Sequence, residues 1–194
     1  MRTRVKICGI TRVEDALAAT ALGANYLGFV FVRESPRYVD PLAVRNITAA
    51  LTTEAAPPHS RVGVFRNASR DEILRTIDIA QLDVVQIHGN FIDVNFPTIH
   101  AFQVQASLPD TKTRADYVLF DTGGGTGQTF DWSLLARYPR TKPFFLAGGI
   151  TPENVQEAIA KTNPYAVDLA SGVESSPGVK DRGRLKALFE AIQP

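Results

Sequence analysis

The side chains best suited to chemistry fall at the ends of short apolar runs or in the loops just after them. The run "VKIC" closes on Cys8, the only cysteine in the sequence. A thiol there is either a small buried hydrophobe or, as a thiolate, a base. Lys6 shares a strand face with Cys8 by the two-residue alternation, and an ammonium beside a thiol favours the thiolate. "YVLFD" closes on Asp121. A carboxylate at that point is costly if buried without a partner. Its plain role is to cap or pair a nearby turn. Its chemical role is that of a general acid or base whose pKa is raised by apolar surroundings. "VVQIH" closes on His88, which reads first as a core-capping histidine with one hydrogen bond. Arg37 lies in "ESPRYVDP", between two prolines that stiffen the loop. Its fork suits a carboxylate or a phosphate, and without such a ligand it is a solvated surface arginine.

Two glycine turns add a different capability. "AGGITPEN" places Gly148 and Gly149 between an apolar run and a helix start, and "ASGVE" offers Ser171 and Gly172 after the last run. Taken singly these are tight turns. As a pair at the ends of the last two strands, their backbone N–H groups suit a phosphate. "DTGGGTGQTF" fits neither the dinucleotide fingerprint nor the P-loop, and reads as a flexible loop or a lid. The three histidines show no metal-ligand spacing, so no metal site is expected.

These groups need elements to bring them together. Apolar runs alternate with amphipathic segments along almost the whole chain. "RVKICGI", "ANYLGFVF", "SRVGVF", "DVVQIHG", "TIHAFQV", "YVLFDT", "PFFLAGGI" and "YAVDLASG" read as strands, apolar almost throughout, as expected when both faces are covered. Between them, Thr11 and Glu14, and again Ser69 and Glu72, have the spacing of capping boxes. Asp40–Pro41 and Thr151–Pro152 read as helix starts, and Gly23 as a helix stop. "DWSLLARYP" and "RGRLKALFEAIQ" read as further helices. This alternation argues for α/β architecture with parallel strands and helical crossovers. Eight such units suit a closed barrel, although a doubly wound open sheet uses similar ones.

No linker divides the chain, so residues 1–194 are read as one domain. One stretch is too short. Between His88 and Asp121, Pro97 and Pro109 interrupt a segment that has no helical stripe. The crossovers of units 4 and 5 are therefore expected to be loops or single turns. That side of the barrel is then expected to be thinly covered, and either locally mobile or used for contact with another subunit.

Composition excludes several functions. The 194 residues carry a net charge of +1 with both signs interspersed, and 44% are apolar. Neither a nucleic-acid surface nor a membrane surface is indicated. No apolar stretch reaches membrane-spanning length, and the start does not read as a signal peptide. A single cysteine makes no internal disulfide, so a reducing, cytoplasmic setting is expected.

Taken in order, "VKICGIT", "GFVF", "SPRYV", "RVGVF", "VQIHG", "LFDT", "FDWSLL", "LAGGITPENV" and "VDLASGVESSPGVKD" resemble the phosphoribosylanthranilate isomerase family over nearly the full chain. The resemblance implies a (β/α)8 TIM barrel, here with shortened or missing helices in units 4 and 5. It also implies an Amadori rearrangement of N-(5'-phosphoribosyl)anthranilate in tryptophan biosynthesis. The matching positions make Cys8 the general base and Asp121 the general acid. Arg37 then holds the anthranilate carboxylate, and Gly148, Gly149, Ser171 and Gly172 hold the phosphate. Lys6, His88 and Asp168 fall near the substrate. No cofactor is implied. The partner is a small phosphorylated substrate, and the chain is expected to be a monomer, with a homodimer as the alternative. Ala170 stands where the family commonly has serine, which removes a hydroxyl. Two other readings are an isomerase of the histidine-pathway phosphoribosyl intermediate and a non-catalytic phosphate-binding barrel. The first resembles this chain but has aspartate where Cys8 stands. The second has no need of Cys8 and Asp121 together.

Overall fold

The computed structural model describes residues 3–53, 59–123 and 127–192. Eight parallel strands close into a barrel in sequence order. They are β1 (Arg4–Cys8), β2 (Tyr26–Val30), β3 (Ser60–Arg66), β4 (Val84–His88), β5 (Thr98–Gln103), β6 (Tyr117–Asp121), β7 (Phe144–Leu146) and β8 (Ala166–Leu169). The ring shuts where β1 pairs with β8, with Lys6 opposite Asp168. Helices α1 (Val13–Ala21), α2 (Pro41–Thr53), α3 (Arg70–Ala80), α4 (Val155–Thr162) and α5 (Arg182–Ile192) lie around it.

The apolar strands have two cores to fill. Val5, Leu27, Phe29, Val85, Phe120 and Val167 face the helices. Val62, Val84, Ile99, Leu119, Phe145 and Ala166 fill the barrel itself. Its amino-terminal end is closed by aromatic rings. Phe145 packs edge-on to Tyr26 and Tyr117, with ring centroids 5.3 and 5.7 Å apart. The hydroxyls of Tyr26 and Tyr165 meet at 3.0 Å.

Four helix starts follow the expected chemistry to different degrees. Asp40 Oδ1 accepts from the Leu42 N–H, and Pro41 opens α2. The last residues of that segment, Glu54 and Ala55, lie outside the described residues, as does Gln193 after α5. Ser69 caps α3 by accepting from the Glu72 N–H at 3.2 Å. Thr11 does not cap α1. Its hydroxyl donates 2.6 Å to the Gly178 carbonyl instead, and Arg12 occupies the cap position without a side-chain capping bond. At the other end of α1, Gly23 takes φ +102° and donates to Thr20, while Ala24 donates to Ala19. That pair of bonds is a Schellman stop. Helix α4 begins at Val155, later than Thr151–Pro152 suggested, because residues 152–154 form a turn. Asn154 closes it by accepting from the Thr151 N–H and donating to the Gly149 carbonyl, both at 2.9 Å.

Neither unit 4 (89–97) nor unit 5 (104–116) contains a helix. Their loops put Val94 and Val104 into the outer core in place of a helical stripe. Unit 6 is also reduced, contrary to the reading of "DWSLLARYP" as an ordinary helix. It forms a 3-10 helix, Trp132–Arg137, capped by Asp131. The chain after β8 adds two elements that alternation alone does not indicate. A 3-10 turn (Ser171–Val173) leads into an antiparallel hairpin, β9 (Glu174–Ser176) and β10 (Val179–Lys180).

Candidate active site

Strand alternation turns Lys6 and Cys8 of β1 inward, toward the carboxyl-terminal mouth. Gly28 on β2 stands opposite Cys8 in register. The Lys6 side chain is fully buried, and its Nζ lies 2.7 Å from Asp168 Oδ2. Burial pulls the Lys6 pKa down, but the Asp168 carboxylate more than offsets this and leaves it raised. Burial pushes the Cys8 thiol up from 9.0; Lys6 pulls it down, Asp168 adds to the rise, and Lys180 also pulls down. Lys6 favours the thiolate, in the direction expected, but its ammonium is also bonded to Asp168, and desolvation of the sulfur leaves the thiol raised.

Asp121 ends β6. Burial raises its pKa above 3.8, the negative charge of Asp168 adds to this, and the N–H groups of Gly123 and Thr122 oppose it. The direction agrees with the sequence argument. His88 ends β4, and its Nε2 is 2.8 Å from Gln86 Nε2. With the amide donating, the imidazole carries its proton on Nδ1. Burial, with the charges of Lys6, Arg66 and His100 behind it, lowers the His88 pKa to about 4, so the ring is neutral.

These residues share one mouth of about 120 Å³ with the two glycine turns. Cys8, Gln86, His88, Asp121 and Asp168 line one part; Gly148, Gly149, Ser171 and Gly172 line the other. Gly148 has φ +84°, and a β-carbon there would lie 2.9 Å from the Thr122 nitrogen and 3.1 Å from Asp121 Oδ1. At Gly172 a β-carbon would press on the Ile150 carbonyl oxygen. Asp168 Oδ1 is buried with no hydrogen-bond partner among the described residues. So is Gln86 Oε1, at the same mouth.

Arg37 is beside this mouth but is not a free fork. Its Nε donates to Glu174 Oε1 at 3.0 Å and its Nη2 to Oε2 at 2.6 Å. Its side chain lies over Gly9, where a β-carbon would meet Arg37 Cδ at 2.6 Å. Only Nη1 lacks a bond to a described residue. Nothing in the local pattern of "VESSPGVKD" marks Glu174 or Lys180, and Gln86 in "VQIHG" carries no local signal either. The same holds for Arg184, which lines a second recess with Gly149, Ser171 and Gly172. Of the proposed lid, Gly124, Gly125 and Thr126 lie outside the described residues. Gly127 and Gln128 approach Gly149, whose β-carbon would meet the Gln128 carbonyl oxygen at 2.7 Å. Among the described residues no group of three His, Cys, Asp or Glu is placed to hold a metal ion. No helix among them is long and apolar enough to cross a membrane.

A closed parallel barrel, with acid–base side chains and glycine turns at the carboxyl ends of its strands, defines a (β/α)8 enzyme. The chain matches the model for N-(5'-phosphoribosyl)anthranilate (PRA) isomerase over residues 5–191. It belongs to that family, and so to the isomerases of tryptophan biosynthesis. It is 45% identical over 206 positions to N-(5'-phosphoribosyl)anthranilate isomerase of Pseudomonas fluorescens, covering 98% of each chain. The crystal structure of phosphoribosyl anthranilate isomerase from Thermus thermophilus is 41% identical, with a TM-score of 0.89 and 98% of each chain covered. A third relative, 35% identical with a TM-score of 0.82 and 98% coverage of each chain, was crystallised with reduced 1-(o-carboxyphenylamino)-1-deoxyribulose 5-phosphate.

Proposed function

We propose that this chain converts N-(5'-phosphoribosyl)anthranilate to 1-(2-carboxyphenylamino)-1-deoxy-D-ribulose 5-phosphate, with Asp121 as general acid and Cys8 as general base. One observation carries the assignment: Cys8 and Asp121 line the same mouth as the paired glycine turns. The ligand of the 35% identical relative supports the substrate class.

Asp121, in its protonated form, which its raised pKa favours, gives its proton to the furanose ring oxygen. The C1'–O4' bond breaks, and the anthranilate nitrogen lone pair forms the iminium. Cys8, as thiolate, removes the C2' proton. The C–H electrons form the C1'=C2' bond, and the nitrogen regains its lone pair. The resulting enolamine gains a proton at C1' and loses the 2'-hydroxyl proton to become the ketone. Return of the proton from Cys8 to Asp121 resets the site. No redox change or group transfer occurs, so the scheme uses no cofactor.

The other residues bind. Backbone N–H groups of Gly148, Gly149, Ser171 and Gly172 take the phosphate. Arg37 offers Nη1 to the anthranilate carboxylate while Glu174 holds the rest of its fork. The unpaired Asp168 Oδ1 accepts from a sugar hydroxyl, and Lys6 holds Asp168 in place. Neutral His88 donates from Nδ1. The test is loss of the substrate's anthranilate fluorescence on turnover. Cys8→Ser and Asp121→Asn are each expected to abolish it with folding unchanged. Full activity in either overturns that residue's role, and an inactive wild type that also fails on the histidine-pathway substrate overturns the enzyme reading.

A further inference from the structure

The β9–β10 hairpin takes no part in the proton transfers above, yet it carries buried charges that reach Cys8. The Lys180 side chain is fully buried, and its Nζ donates to Glu174 Oε1 at 2.7 Å and to the Cys8 carbonyl oxygen at 2.5 Å. The Glu174 side chain is 3% exposed and holds the Arg37 fork. Its Oε1 also accepts from the Gly178 N–H at 3.2 Å. The hairpin is anchored from outside. The Lys180 N–H donates to Asp15 Oδ2 at 3.0 Å, and Arg184 Nη1 donates to the Glu174 carbonyl at 3.0 Å.

Stability alone does not explain this arrangement, because well-packed apolar residues commonly serve as well as a buried ion pair. What the charged chain provides is connection. It runs from the arginine of the β2 loop, through a carboxylate, to an ammonium bonded to the backbone of the base. We propose that Lys180 and Glu174 are positioning residues of this active site. Glu174 sets the direction of the Arg37 fork; Lys180 fixes the carboxyl end of β1 and places a positive charge beside the Cys8 thiol. The inference rests on Cys8 as base and Arg37 as carboxylate ligand.

The charges facing Cys8 come from every element around it. They are Lys6 of β1, Asp168 of β8, Arg37 of the β2 loop and Lys180 of β10, with Glu174 of β9 behind the last two. With Asp121 of β6 ionised at the same mouth, three cations stand against three carboxylates. Lys180 keeps the surroundings balanced, and its removal leaves them net negative. Burial lowers the Lys180 pKa, Glu174 and the Cys8 thiolate raise it, and Arg37 lowers it. The two charges therefore support one another as the thiolate forms.

Alkylation of Cys8 by iodoacetamide across pH tests this without turnover, and it reports one thiol because the chain has one cysteine. Lys180→Met and Lys180→Gln are expected to move the alkylation midpoint up by about one unit, slowing the reaction about tenfold at pH 8. Their kcat at neutral pH falls about tenfold with KM nearly unchanged, and Lys180→Arg restores both. Glu174→Gln is expected to raise KM about tenfold with a smaller effect on kcat. Thermal melts by circular dichroism establish folding. Should the methionine variant fail to fold, the glutamine variant carries the comparison, since its amide keeps a donor for the Cys8 carbonyl. An unshifted alkylation profile in a folded Lys180→Gln protein overturns the role of Lys180, and an unchanged KM in Glu174→Gln overturns that of Glu174. Cys8→Ser, assayed alongside, separates this inference from the reading beneath it. Full turnover there removes Cys8 from the mechanism, while the alkylation shift still decides on Lys180.

Discussion

Gly28 leaves open the space that the Cys8 thiol occupies: a β-carbon on Gly28 would lie 2.7 Å from Cys8 Sγ. The two residues are register partners on β2 and β1. A side chain at Gly28 forces the sulfur to rotate or β1 to shift. Gly28→Ala is therefore expected to lower kcat about 100-fold, the scale of a 1 Å misplacement of a reacting group. A kcat near wild type, measured with the thermal midpoint, shows that Cys8 needs no such space.

The pH profile has a definite shape. The proposed mechanism needs Asp121 protonated and Cys8 ionised, although the carboxyl rises from 3.8 and the thiol from 9.0. The productive pair is then a minor tautomer whose share is constant between the two values. The kcat/KM profile is expected to be bell-shaped, with its acid limb above pH 3.8 and its basic limb above pH 9.0, since both groups are raised from those ordinary values. A basic limb that stays in place when Lys6 or Lys180 is altered contradicts its assignment to Cys8.

Breaking the buried pair from the lysine side strands a charge. Lys6→Met leaves the Asp168 carboxylate buried without its cation. A loss of about 3–5 kcal/mol in unfolding free energy is expected. In the wild type, the raised Lys6 pKa means that the contribution is fully present below 10.5 and fades as pH rises through the higher folded value. Urea denaturation at pH 8 and at pH 11 measures both effects.

The proposed phosphate cradle predicts a change in binding alone. Gly172→Ala places a methyl against the Ile150 carbonyl oxygen and displaces the turn that presents the backbone N–H groups. Loss of one charge-assisted bond corresponds to about a tenfold rise in KM, with inorganic phosphate inhibiting correspondingly less. A fall in kcat at constant KM places Gly172 outside phosphate binding.

The sequence made the strands and their ends legible because a residue at the carboxyl end of a parallel strand has one place to go. Cys8, His88 and Asp121 each close a strand as read. The missing helices of units 4 and 5 were legible too, from two prolines and too little chain. The reduced helix of unit 6 was not, because "DWSLLAR" carries ordinary helical chemistry and the packing there decides for a 3-10 turn. Nor was the occupation of Arg37 by Glu174, which stands 137 positions away. A lone arginine advertises a ligand, but nothing in its local spacing says that the ligand is internal. The same limit hid Lys180, whose partner is the backbone of a residue 172 positions earlier.

The tyrosine-ringed floor of the barrel has a kinetic consequence. Among the described residues, Tyr26, Tyr117, Tyr165 and Phe145 close the far end, and Cys8 and Asp121 line the mouth at the other. In the proposed reaction, substrate and ketose then share that mouth, and the product is expected to inhibit competitively.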